Sequence, residues 1–220
     1  MRALSLLEAR VLGVLVEKAH TVPDSYPLSL NSLTLGCNQK TARDPVMAVS
    51  EADVQVTIDA LKLLSLVFEA SGSRVTRHEH NLGRVLALPS QSVALLCVLM
   101  LRGPQTTSEL RANSERLHRF ADLSSVEGFL EELAGRAVDK GGPLAVKLAR
   151  AAGSREPRWA HLLCGDVDAS RYAATAADDD FVAVSELSAM KARLGHVEAE
   201  IQELRGLVER LYRELDLPRA

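Results

Sequence analysis

This 220-residue chain is poor in several features that would announce a chemistry. Its three cysteines, Cys37, Cys97 and Cys164, lie far apart and form no Cys-x-x-Cys pair. That excludes a disulfide framework and the usual zinc spacing, and leaves reduced thiols that pack like small apolar side chains. The longest apolar run, Val93 to Leu101, is far too short to span a bilayer, and the residues from Met1 to Leu4 show no secretory pattern, so a cytoplasmic protein is expected. Glycine-rich phosphate loops are missing, and no serine or cysteine sits in a recognisable nucleophile setting. His78 and His80 alternate as on one face of a strand, but no third ligand stands at a suitable spacing, so solvent-exposed or hydrogen-bonded rings are expected rather than a metal site. The expectation is therefore a protein that is not an enzyme and carries no metal and no cofactor.

The formal charge of -3 excludes a uniformly basic chain, yet that charge is unevenly spread. Residues 1–84 carry 9 basic and 9 acidic side chains, residues 85–165 carry 10 and 8, and residues 166–220 carry 7 and 12. All the excess acid lies in the last quarter. With 47% hydrophobic residues the chain can bury two small cores and still supply a tail.

Residues 5–163 repeat one order of elements, in which three amphipathic helical segments are followed by two short β-like runs around a turn. Ser5 with Glu8 has the reciprocal spacing of a capping box and opens a helix along Leu7, Val11 and Leu15, running to about Lys18. A short helix fits Leu30 to Cys37, and a third begins at Ser50 with Asp53 at the box position and Val54, Ile58, Leu61 and Leu64 inward. Leu66 to Phe68 and Val75-Thr76 then make a hairpin around Ser71-Gly72-Ser73. In the second half a helix over Ser90 to Leu101 ends at Gly103, and Thr106 with Glu109 and Ser124 with Glu127 mark two more starts. Leu144 to Leu148 and Trp159 to Leu163 form the second hairpin, with Trp159 as its core anchor. The reading is mostly α with small β-hairpins (α+β): two tandem winged helices at 1–86 and 87–165, a flexible linker at 166–182 and a coiled-coil helix at 183–217.

Tyr26-Pro27-Leu28-Ser29-Leu30-Asn31, Cys37-Asn38-Gln39-Lys40-Thr41, Arg43 and Pro45-Val46-Met47 resemble the YceH-like bacterial proteins of unknown function. Arg102-Gly103-Pro104-Gln105-Thr106 and Glu109-Leu110-Arg111 extend the resemblance into the second half, so that it covers roughly residues 4–163. It implies a tandem winged-helix fold, and brings no activity and no catalytic residues.

Both third helices are acidic, with Glu51, Asp53 and Asp59 against Lys62 in one and Glu127, Glu131 and Glu132 against Arg136 in the other. Helices of that charge would repel a phosphate backbone rather than enter a groove. Cationic and amide groups cluster instead on the long 38–49 loop, the hairpins and the middle helix of the second half. Gln39, Lys40, Arg43, Arg74, Arg77, Arg111, Lys147, Arg155 and Arg158 are the candidate nucleic-acid contacts, to the DNA backbone with limited base reading. The plain alternative makes these ordinary solvated or paired charges. Two functions remain: a dimeric DNA-binding or transcription-associated protein, or a scaffold that docks other proteins through the acidic third helices.

The tail has the most regular pattern. Leu187, Leu194, Ile201, Val208 and Leu215 fall at heptad position a, and Met190, Val197, Leu204 and Leu211 at d. The flanking pairs Glu186 with Lys191, Arg193 with Glu198 and Glu200 with Arg205 are oppositely charged, which favours a parallel homodimer over the alternatives of an isolated amphipathic helix or an antiparallel or higher-order bundle.

Overall fold

The computed structural model describes residues 2–70, 75–150 and 156–167, all within one compact unit. The linker beyond Val167, the heptad residues Leu187 to Leu215 and the first hairpin's tip at 71–74 lie outside the described residues.

The chain runs α1 (Leu6–Thr21), β1 (Leu28–Ser29), α2 (Leu30–Cys37), α3 (Glu51–Leu63), β2 (Val67–Ala70), β3 (Arg77–His80), α4 (Leu82–Val85), α5 (Ser90–Arg102), α6 (Thr107–Ser114), α7 (Leu123–Ala134), β4 (Ala145–Lys147) and β5 (Trp159–His161). It is a mixed α+β architecture in which helices outweigh two small antiparallel sheets. One sheet has the order β1-β3-β2 and the other is the β4-β5 pair.

Helix starts follow local chemistry. The boxes at Ser5/Glu8, Ser50/Asp53 and Thr106/Glu109 all form, each satisfying two backbone donors. The expected box at Ser124 does not. Asp122 caps α7 instead, its carboxylate accepting from the Ser125 N–H at 2.7 Å, because an aspartate two residues upstream is the stronger acceptor for those amides. Gly103 closes α5 at a φ of 71°, where side chains are rarely tolerated.

Two further expectations are corrected. The first hairpin is shifted toward the C-terminus, pairing Val67 with His80 and Ala70 with Arg77, and Leu28–Ser29 adds a third strand against His78 and Arg77. The His80 N–H donates to the Tyr26 hydroxyl at 2.8 Å, which ties the segment before β1 to this sheet. His78 and His80 are neither solvent-exposed nor hydrogen-bonded through Nδ1: His78 is buried, His80 is half-buried, and both Nδ1 atoms lack partners.

The two halves share a core. Every residue of α5 from Ser92 to Leu101 is buried, the mark of a helix covered on all sides. Helix α1 packs along it at Gly13, where a Cβ would come within 2.9 Å of Leu101. Cys97 donates its thiol to the Gly13 carbonyl there, at 3.2 Å. The boundary expected at residues 86/87 falls between α4 and α5, and apolar contact runs across it through one cluster from Leu4 to Leu163. Trp159 is buried in that cluster, as expected of a hairpin anchor.

Candidate interaction surfaces

The 38–49 loop is rigidly held although it contains no helix or strand. Asn38 fastens its ends, donating from Nδ2 to the Val49 carbonyl at 2.9 Å and accepting from the Val49 N–H at 2.8 Å. Within the loop, Arg43 turns inward and is only 7% exposed. Its guanidinium donates to Glu17 at 2.6 Å, to Gln39 Oε1 at 2.6 Å and to the Gly36 carbonyl at 3.2 Å. Arg10, 1% exposed on α1, reaches the same loop through the Cys37 and Pro45 carbonyls at 3.0 and 2.6 Å. Burial would raise the Glu17 carboxyl, but hydrogen bonding and charge from Arg43, with Lys18 adding, carry it below the usual carboxylate value. Asp44 continues the anchoring, its N–H donating to the Leu101 carbonyl at 2.8 Å at the end of α5. The expectation of Arg43 as an outward-facing donor is therefore corrected: its guanidinium is committed to the protein's own interior, because a long loop must satisfy its backbone carbonyls somewhere, while half-buried Gln39 takes part as an acceptor through Oε1.

The other sequence-selected cations divide as follows. Lys40 is exposed on the loop. Arg77 donates to the Pro27 carbonyl at 2.8 Å and Arg111 to the Ala121 carbonyl at 3.0 Å. Lys147 pairs with Glu127 at 2.8 Å and lies 5.2 Å over the Trp159 ring, while Arg158 pairs with Glu109 at 3.1 Å. Arg74 and Arg155 lie outside the described residues. Among the described candidates, only Gln39 and Arg43 are hydrogen-bonded to each other. Hairpin and loop cations are thus largely engaged by neighbouring carbonyls and carboxylates.

The feature that charge counting missed is on α3. Val54, Ile58 and Leu61 face the core with no exposure, yet on the opposite side Val56 is 71% and Leu63 89% exposed. They stand seven residues apart, two turns along one stripe, about 10.5 Å by helix rise. Asp53 and Asp59 are exposed beside them, and Lys62, the helix's one cation, pairs with Glu69 on β2. The signal was legible, since a 3.6-residue period that places Val54, Ile58 and Leu61 inward must turn Val56 and Leu63 outward. The counterpart helix α7 shows no such stripe: its outward positions include Ser124, Gly128, Glu131 and Glu132.

Residues 4–154 match the family model of a protein of unknown function, DUF480. The chain belongs to the DUF480 family. A UPF0502 protein of Paraburkholderia xenovorans (strain LB400) is 60% identical over 217 residues, covering 99% of this chain and 90% of that protein. A UPF0502 protein of Burkholderia pseudomallei (strain K96243) is equally similar, with 91% of its length covered, and one of Burkholderia vietnamiensis (strain G4 / LMG 22486) is 58% identical over 219 residues, with 99% of this chain and 91% of that protein covered. The DUF480 match encloses both the anchored loop and the α3 stripe, and the full-length relatives extend the likeness through the tail.

This DUF480 chain keeps its reactive groups inward. Burial pushes the Cys37 thiol up to about 12 and raises Cys97 and Cys164 as well, the direction opposite to that of an activated thiolate. Burial likewise lowers His161 to about 4, and His80 to about 4 with the His20 charge adding. Among the described residues no group of three His, Cys, Asp or Glu side chains is placed to hold a metal ion, and no helix is long and apolar enough to cross a membrane.

Proposed function

We propose that this DUF480 protein is a non-enzymatic, tandem winged-helix scaffold that docks a cationic amphipathic segment of another protein on α3. The reading is carried by the exposed Val56–Leu63 stripe with Asp53 and Asp59 beside it. Burying one such side chain against a partner contributes about 1.5–3 kcal/mol, and the acids select a partner helix with basic flanks and apolar anchors two turns apart. A labelled helical peptide with leucines at that spacing and lysines beside them is expected to bind the full chain. Val56→Ser with Leu63→Ser should weaken it by roughly tenfold or more while leaving thermal stability nearly unchanged, because both side chains are already in solvent. Equal binding by a glutamate-for-lysine twin peptide, or by the double variant, would sink the proposal.

A second reading keeps DNA as the partner, through Lys40 and Arg111 together with Arg74 and Arg155. It is favoured by the exposure of Lys40 on a loop held in place by Arg10 and Arg43. A duplex gel shift that weakens steeply with salt and drops in Lys40→Ala with Arg111→Ala, yet persists in the α3 double variant, would select it.

The heptad pattern supports a parallel homodimer built by Leu187, Met190, Leu194, Val197, Ile201, Leu204, Val208, Leu211 and Leu215. Light scattering at micromolar concentration is expected to give a dimer mass for the full chain and a monomer mass after truncation at residue 182. A monomer in both cases would remove the dimer.

A further inference from the structure

We propose that the hollow between α6 and the segment leading into α7 binds a free α-amino acid with an apolar side chain, a site independent of the α3 surface. The cavity measures about 320 Å³, at the small end of ligand pockets and suited to a molecule well below nucleotide size. Arg111, Ala112 and Glu115 line it from one face of α6 and its C-terminal cap, and Arg119, Phe120 and Leu123 line it from the following segment.

Its charges are not neutralised by one another. Arg111 and Glu115 stand four residues apart on a helical face, where opposite charges ordinarily pair, yet no ion pair forms between them. Arg111 is instead fixed by its bond to the Ala121 carbonyl at 3.0 Å, while Glu115 and Arg119 are exposed and have no partner among the described residues. Asp122 is the other acid within reach of the Arg111 charge, and its Oδ1 already accepts from the Ser125 N–H and hydroxyl, both at 2.7 Å. Asp122 thus offsets part of the Arg111 charge, whereas Arg119 and Glu115, one cation and one anion, face the hollow without a protein partner among the described residues. A simple anion would meet Glu115, and a simple cation would meet both arginines. A zwitterion satisfies all three, its carboxylate on the guanidinium groups and its ammonium on Glu115.

Ser108 completes the polar lining, and the rest of the wall is apolar. Phe120 is buried and held edge-on by His118 at 4.7 Å and by Phe129 at 6.0 Å between ring centroids, so it offers a fixed surface. Leu123, 44% exposed, is left at the rim for a ligand side chain to cover.

The test is an amide NMR titration of the full chain with L-leucine and L-phenylalanine, set against 4-methylpentanoate and 3-methylbutylamine as analogues with one charge each. Saturable shifts confined to residues 108–123 are expected for an amino acid, with each analogue weaker by roughly tenfold or more. Arg119→Gln should weaken leucine binding by a similar factor. Glu115→Gln should weaken leucine binding by removing the ammonium's partner and strengthen the binding of 4-methylpentanoate, which then meets no carboxylate. Both residues are exposed, so unchanged spectra elsewhere verify that the variants keep the fold. Absence of shifts from both amino acids at millimolar concentration, equal binding by an analogue, or indifference to either substitution would overturn the proposal.

Discussion

Arg43→Ala is expected to lower the thermal unfolding midpoint by roughly 6–20 °C, following the loss of about 3–5 kcal/mol when one partner of a buried ion pair is removed. The Arg43 side chain is 1% exposed and its Glu17 partner 20%, so water cannot replace what the guanidinium provides. Without it, Glu17 keeps only Lys18 at 3.4 Å, and the Gly36 and Ala42 carbonyls lose donors at 3.2 and 2.8 Å. The loop from Asn38 to Val49 then retains the Asn38 clasp, the Arg10 bond to Pro45, the Asp44 bond to Leu101 and the Lys18 bond to Gln39, and its amides should exchange faster than those of α1. Combining Arg43→Met with Glu17→Gln should cost less than the sum of the two single changes, because the double variant buries no uncompensated charge. A midpoint within about 2 °C of wild type for Arg43→Ala, or strict additivity in the cycle, would show that the pair does not hold the loop.

Stability should also fall steeply between pH 6.5 and about 4, ahead of ordinary carboxylate titration. His80 and His161 drop from 6.5 to about 4 on folding, burial being the main cause in each, and His78 moves in the same direction. The fold thus prefers the neutral rings. Above 6.5 neither folded nor unfolded chain is protonated there and the stability is fully present. As pH drops below 6.5 the unfolded chain takes up protons that the folded chain refuses until about 4. Each ring accounts for about 3 kcal/mol over that window, and the two together for a slope of up to about 2.7 kcal/mol per pH unit. Glu8 and Glu17, both lowered from 4.5, add their losses only below that value. Urea unfolding at a series of pH values should show the decline, and His161→Phe, which removes a ring whose Nδ1 has no partner, should flatten it by about one proton. A free energy of unfolding that stays level from pH 7 to 5 would refute this account.

Much of the fold was legible where the determinants are local. Ser5, Ser50 and Thr106 cap the helices they were expected to cap, and α2 spans Leu30–Cys37 as read, because hydroxyl caps and a 3.6-residue apolar period act within a few residues. Asp122 displaced the Ser124 start through a competition between neighbouring caps that spacing alone does not rank. Strand β1 escaped notice because Leu28–Ser29 is two residues long and exists only through its pairing with His78 and Arg77. Candidate surfaces were less legible still. Counting charges drew attention to Arg43, Lys147 and Arg158, whereas their partners Glu17, Glu127 and Glu109 lie 26, 20 and 49 residues away. The outward Val56 and Leu63 were present in the helical period but stood in the shadow of the acidic residues around them.

By itself, then, the sequence determined the order of helices and hairpins, most of their starts and the acidic character of α3, since each of these follows from interactions among near neighbours in the chain. Only the tertiary structure decided that α1 and α5 close both halves around one core, that Arg43 faces Glu17 rather than solvent, and that Arg111, Glu115 and Arg119 line one hollow without pairing. Whether a charge is free or engaged depends on which distant carboxylate or carbonyl the packed helices bring within hydrogen-bonding reach, and that is a property of the assembled core.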